Sequence, residues 1–526
     1  MNPKNVSGTR RRRWVIPVVV VVVGVVALGG FVVRQTTRTS NTAAETWVTR
    51  ENRRPGTSAW RIATTAYGGV GGYANRVSAQ IGEAVTLYVS TAAPVFHVEA
   101  FRMGWYQGLG GRLVWRSAEI RGEAQRPATV VKTTRTVTTT WKPSLHVQLS
   151  KDWIPGDYLL KLVTSKGQSY IPLTVRNDAS RAPLLMMNAV TTWQAYNDWG
   201  GHSLYFGPNA DPAARSTVVS FDRPYNWAVR QGGYPPVDPQ AYEVCCGFVA
   251  TELGVVTEVE RLGLDVAYTT DIDVQEHPAQ LLRHRALISG GHDEYWSVAK
   301  RNAVEAARDH GVNIMFLGPN AVYWRIRLEP SRLGANRLEV NYRIARDDPM
   351  FGKDDAQVTT LWRSPPKARP EGALVGVMYY CFGSDDDGVV ADASSWVFDG
   401  TGLKNGDHIA KLIEREADHV DPALPAPPGI QKLLHSPVSC LGLGGRRASG
   451  PAYFSDTTYY TTKSGSGVFA TGAPWNCKLY DGCPSGTSHP DKTVQRITEN
   501  VMRAFAAGPA GRAHPSHGSD AASSSP

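Results

Sequence analysis

Four short apolar runs in the second half of the sequence end in residues able to act as acids, bases or ligands. After LISGG come His292, Asp293, Glu294, Tyr295 and Trp296. After IMFLG come Pro319 and Asn320, then Tyr323 and Trp324. LLMMNAV leads into Thr192, Trp193, Gln194, Ala195, Tyr196 and Asn197, and VVSF leads into Asp222, Arg223, Pro224 and Tyr225. In open α/β sheets, ligands bind beyond the carboxyl ends of the strands, so such residues are placed where chemistry is done. His292 and Glu294 together suit a metal ligand plus base, or an acid–base pair. A strand-to-helix turn would put them at a helix N-terminus, which favours carboxylates, and plain capping by Asp293 or Ser297 accounts for the same residues. Tyr196 and Tyr225 are possible phenolate ligands for a hard ferric ion, or tyrosines of a core or its rim. Asn320 is a possible donor to a carbonyl or oxyanion, or a loop residue tolerant of left-handed geometry. Glu416 falls in DHIAKLIEREADHV, a predicted helix, and reads as a general base or as part of a solvated face. Asp385, Asp386 and Asp387 lack the spacing of a regular calcium loop. GxSxG, Walker A, GxGxxG and HExxH are all absent from the sequence.

Two kinds of element must carry these residues. Residues 51–177 alternate apolar and polar positions between Gly and Pro, which predicts an all-β, Ig-like sandwich. Residues 178–507 alternate short apolar runs with helical segments such as SVAKRNAVEAARDHG, which predicts a mostly parallel α/β domain. Residues 34–50 read as a linker, and the tail from 508 to 526 as disordered. The run Trp14–Val33 holds 20 residues without a charge, preceded by the basic tail 1–13. A helix of that length matches the hydrocarbon thickness, so a signal anchor is expected. The arginines ahead of it would hold the N-terminus inside, giving a single-pass cell-membrane protein whose later domains are extracytoplasmic. Six cysteines suit that compartment, with Cys477 and Cys483 the expected local disulfide pair.

Charge narrows the partners. The formal balance of +9 comes largely from seven basic residues within the first 40, which leave 49 basic against 47 acidic residues in the rest. No body-wide surface for nucleic acid is expected.

Taken together, ENRRPGTSAWRI, GGYANRVSAQIGEAVTLYVST, FRMGWYQGLGGRLV, TTWQAYNDWGGHSLYF, SFDRPY, GGHDEYWS, FLGPNAVYW, WVFDGTGLKNGD and SGVFATGAPW resemble the family named for the large (β) subunit of N,N-dimethylformamidase, C-terminal region. The resemblance covers about residues 51–500. It implies a sandwich followed by a glutamine-amidotransferase-like (flavodoxin-like) α/β domain, hydrolysis of amide-like C–N bonds, and a mononuclear iron site, Fe(III) by its hard anionic donors, made by two tyrosines and a glutamate. On this chain Glu294 matches the glutamate ligand, Tyr196 and Tyr225 are taken as the tyrosines, His292 and Asn320 match pocket residues, and Glu416 matches a further catalytic glutamate. The expected partner is a small amide-like substrate, with an oligomer or second subunit possible. A reading of another class is a non-catalytic surface protein that binds envelope glycans through exposed aromatics such as Trp105 and Tyr106 of GWYQGLGG.

Overall fold

Alternating residues build the first sheets. In Ala84–Thr91, Val85, Leu87 and Val89 turn inward, and the strand pairs antiparallel with Val70–Ala74 and Leu145–Gln148. A second sheet runs in the order Ser78–Gln80, Gln168–Arg176, Gly156–Val163, Val95–Met103, Gly111–Arg116. The two share a core that includes Leu87, Val98, Leu160 and Leu173. These relations come from a computed structural model, which describes residues 45–518 except 64, 65, 67, 227–246, 442–446, 449–452 and 481–488.

The apolar runs of the second half form a seven-stranded sheet. Its order is Val266–Thr270, Leu184–Asn188, Ala286–Ser289, Asn313–Phe316, Gly467–Ala470, Phe454–Thr461, Gln431–Pro437. The first five are mutually parallel and the last two join antiparallel. Strands buried on both faces need apolar residues at every position, which is why they read as unbroken runs. Two four-stranded sheets flank the site: Val218–Ser220, Gly334–Val340, Trp324–Ser331, Tyr295–Ser297, and His408–His419, Met378–Val389, Cys440–Leu441, Arg447–Ala448. Of the helices, Val298–Asp309 is capped by the Ser297 hydroxyl, which accepts from the Lys300 amide at 3.1 Å, and Lys492–Ala507 is capped by Asp491.

This architecture corrects the expected fold class. The chain is mostly β with some helices throughout, so the second half is not the expected glutamine-amidotransferase-like (flavodoxin-like) α/β domain, and the expected transmembrane anchor lies outside the described residues. One reason is His408–His419, which was expected as a helix and is a 12-residue strand. Lys411 and Arg415 take left-handed backbone angles (φ 51° and 67°), and the pairing with Met378–Val389 shifts register at three points. These breaks in alternation put Ile409, Leu412, Ile413 and Ala417 on the buried side at a spacing that imitates a helix.

The expected single-pass membrane localisation finds no support either, while the expected anchor itself, residues 14–33, falls outside the described set. No helix among the described residues is long and apolar enough to cross a membrane. Within the expected linker, Trp47–Asn52 is a helix with buried Val48, Glu51 and Asn52. The stretch expected to be disordered from residue 508 is placed through Gly518. Its His514 stacks on Trp396 at 4.4 Å and accepts from the Tyr459 hydroxyl at 2.8 Å.

Cys381 and Cys440 form a disulfide across the sheet that carries His408–His419. Cys477 is also disulfide-bonded, while Cys245, Cys246 and Cys483 lie outside the described residues.

Candidate active site

The turn after Ala286–Ser289 is shaped by glycines. A Cβ on Gly318 would lie 2.4 Å from the Gly291 carbonyl oxygen, and one on Gly290 would strike Met186. Only bare backbone lets the two strand ends meet so closely. The next residues are then tied down. The Thr192 hydroxyl accepts from the amides of Glu294 (3.0 Å) and Tyr295 (3.3 Å), and the Glu294 carbonyl accepts from the amides of Tyr323 and Trp324. Asp293 turns inward to the Lys300 ammonium at 2.6 Å and the Ser289 hydroxyl at 2.9 Å, so its role is to hold the turn. The expected helix start lies further on. Tyr295–Ser297 is a strand and the helix begins at Val298.

Glu294 is buried, and two tyrosines close on it. The Tyr196 hydroxyl, at the end of the helix Val190–Tyr196, lies 2.8 Å from Oε2. The Tyr205 hydroxyl lies 2.7 Å from Oε1 and 2.9 Å from Oε2. The two hydroxyls are 2.7 Å apart, and their rings stack at 4.3 Å over Ala195, Leu204, Val219, Tyr295 and Ile326. Burial, then the Glu294 charge, push both phenols well above their ordinary range.

His292 bridges this cluster to the second sheet. Its Nε2 is 3.3 Å from Glu294 Oε2 and 3.4 Å from the Tyr196 hydroxyl, while Nδ1 is 3.4 Å from Glu416 Oε2. Burial works against the charged ring, but Glu416, Glu294 and Asp418 outweigh it and hold the imidazole up at about 9. Burial likewise lifts Glu416 to about 7, against the pull of His292. Asp418, two residues along the same strand, accepts from the Asn320 backbone amide with both oxygens (3.0 and 2.8 Å), and burial raises it well above the usual carboxylate range. Asn320 is itself in the left-handed region at φ 59°.

Tyr196, His292, Glu294 and Glu416 are therefore brought together, and Asn320 is joined to them through Asp418. Tyr225 is not. It lines a small internal cavity with Tyr73, Trp193, Phe221 and Arg337, and the place beside Tyr196 and Glu294 belongs to Tyr205. Tyr205 follows no apolar run. It sits on a loop fixed by the Ser203 hydroxyl, which accepts from the amides of Tyr205 and Phe206 at 3.1 Å. Only its place in GGHSLYF marks it in the sequence. Asp385, Asp386 and Asp387 are engaged by Lys411, Ser439 and His408. Tyr106 is buried, its hydroxyl 2.7 Å from Glu51, so it is no exposed stacking surface.

No group of three His, Cys, Asp or Glu side chains that could hold a metal is found among the described residues. The oxygen cluster is of another kind, two phenols and one carboxylate. Three acidic groups within hydrogen-bond reach of one another repel once ionised, and a hard cation among them removes that cost. The donor set therefore fits such an ion, with Tyr196, Tyr205 and Glu294 as the residues that would hold it.

A family described as N,N-dimethylformamidase beta subunit-like, C-terminal, matches residues 97–487, which contain every residue of this site. The chain belongs to this family. Curated relatives named N,N-dimethylformamidase beta subunit, from Alcaligenes sp and Paracoccus aminophilus, are 23% and 24% identical over 299 residues. Each alignment covers 48% of this chain and 36% of the relative, so the chain spans about a third of their length. Among solved structures, a human B7-H4 IgV-like domain aligns over 20% of this chain and 96% of that domain at 16% identity, with a TM-score of 0.13, which is too low to speak to fold.

Proposed function

We propose that this dimethylformamidase-like chain is a metal-dependent hydrolase of C–N bonds in small amide-like molecules. The observation that carries the reading is the convergence of Tyr196, Tyr205 and Glu294 on one another, with His292 and Glu416 alongside. Family membership supports the hydrolase class at a coarse level. Iron(III) held by the two phenolates and the carboxylate would supply a Lewis acid for the substrate carbonyl and a more acidic water. The remaining work falls to this chain's own groups.

Glu416 Oε2 accepts no hydrogen bond and faces His292 Nδ1 at 3.4 Å, so it has the capacity to take a proton from an attacking water. His292, kept protonated by its carboxylate neighbours, gives a proton to the departing nitrogen. Water oxygen bonds to the carbonyl carbon, the C–N bond breaks, and the products are a carboxylic acid and an amine. The Asn320 side chain donates to the carbonyl oxygen as negative charge gathers there. Its left-handed backbone and the Asp418 clamp fix where that side chain begins.

The test is amine release from a panel of small formamides and acetamides by the purified, iron-loaded chain. Glu416→Gln is expected to lower the rate about 10²–10⁴-fold while leaving the bound metal in place. An unchanged rate in that variant, or no cleavage of any amide by the loaded wild type, would sink the reading.

A further inference from the structure

One cation stands against the site without a carboxylate partner. Arg343 follows the strand Gly334–Val340 in a left-handed conformation (φ 66°), its carbonyl held by the Thr360 hydroxyl at 2.9 Å. The guanidinium lies 4.2 Å from the Tyr205 ring centroid and 4.7 Å from that of Trp324. One Nη2 donates to the Tyr295 hydroxyl at 3.2 Å, and Nε is buried with no partner. Among the described residues no carboxylate lies within ion-pair distance of it. A half-buried guanidinium with an unpartnered Nε is costly unless negative charge lies close by. The negative charge available is that of the oxygen cluster, reached through the face of Tyr205.

We infer that Arg343 is a positioning residue for the metal centre, holding the Tyr205 ring and stabilising anionic charge on its oxygen. The inference rests on the reading of Tyr196, Tyr205 and Glu294 as metal ligands. A cation over an aromatic face is attracted by the ring's electron density. That density is greater when the oxygen is bound as an anion to a hard ion than when it is a neutral phenol, so Arg343 favours the loaded state over the empty one. Arginine suits both rings at once, because a planar guanidinium can lie between them while donating at its edge, whereas the charge that sets the band needs only a cation. Outer contacts of this kind orient ligands and tune the metal they hold.

The experiment titrates ferric iron into metal-free wild type, Arg343→Met, Arg343→Gln and Arg343→Lys. It reads affinity by chelator competition and the phenolate-to-iron absorption band. Arg343→Met is expected to bind about 10–100-fold more weakly, with the band moved to longer wavelength because the donor orbital of Tyr205 loses its stabilising charge. Arg343→Gln, which keeps a planar polar head, should behave the same way. Arg343→Lys should recover most of the band position. An unchanged affinity and band in Met and Gln overturns the inference. So does weaker binding with an unmoved band and no recovery by Lys, which marks a packing role only. Wild type that takes up iron without any such band overturns the ligand reading, and the inference with it.

Discussion

Among single residues, Tyr205 and Tyr225 show how chemistry depends on where a loop lands. Tyr225 follows an apolar run and Tyr205 does not, yet only Tyr205 reaches Glu294, and Tyr225 lies beside Arg337. The sequence marks Tyr196, His292 and Glu294 because each follows a buried strand, whereas a loop residue carries no periodic signal. Burial also decides protonation away from the site. Asp157 is buried, its Oδ1 accepting from Asn188 and Thr174 and its Oδ2 accepting nothing. Burial, opposed by those two donors, raises it to about 7 from an ordinary 3.8. A carboxyl with a raised folded pKa contributes stability that is full below its unfolded pKa and is lost as pH rises through the folded one. Wild type should therefore lose stability relative to Asp157→Asn between about pH 4 and pH 7, by on the order of 4 kcal/mol at most. Urea unfolding of both proteins at several pH values checks this, and parallel pH curves would contradict it.

At the scale of elements, the site depends on two turns packed backbone to backbone. Gly318→Ala would force a methyl group against the Gly291 carbonyl. The expected cost is about 1–3 kcal/mol, with reduced metal uptake because Glu294 moves with the turn; the denaturation midpoint and metal content of the variant measure both. The parallel strands were legible because residues buried on two faces leave apolar runs, and those runs located His292 and Asn320. His408–His419 was not legible as a strand. Its left-handed Lys411 and Arg415 gave it helical spacing, and only pairing with Met378–Val389 settles the element that carries Glu416. The disulfide Cys381–Cys440 ties Met378–Val389 to Cys440–Leu441 on its other edge, from a residue that lies opposite Ala417, between Glu416 and Asp418.

Across the whole molecule, buried charge joins sheets from the two halves of the sequence. Arg102, on a strand of the first half, meets Glu260 at 2.5 Å with neither side chain exposed. Glu260 also accepts from Asn52 (2.9 Å) and Tyr268 (2.6 Å), which brings in the helix Trp47–Asn52 and the edge of the seven-stranded sheet. Glu260→Ala strands the Arg102 charge in the interior and should cost about 3–5 kcal/mol. Because the network ties these elements together, the loss should fall on one cooperative transition seen alike by far-ultraviolet circular dichroism and tryptophan fluorescence. Two separated transitions would show that the halves unfold independently.

As the proposed ligands of a metal on which catalysis depends, Tyr196, Tyr205 and Glu294 are open to a direct test. The most direct measurement is the metal content of the purified chain by mass spectrometry, in wild type, Glu294→Ala, Tyr205→Phe and Tyr225→Phe. Wild type and Tyr225→Phe should carry about one iron per chain, as expected for a single oxygen cluster of this kind, and Glu294→Ala and Tyr205→Phe should lose most of it. Iron absent from wild type, or retained when Tyr205 and Glu294 are changed, would contradict it.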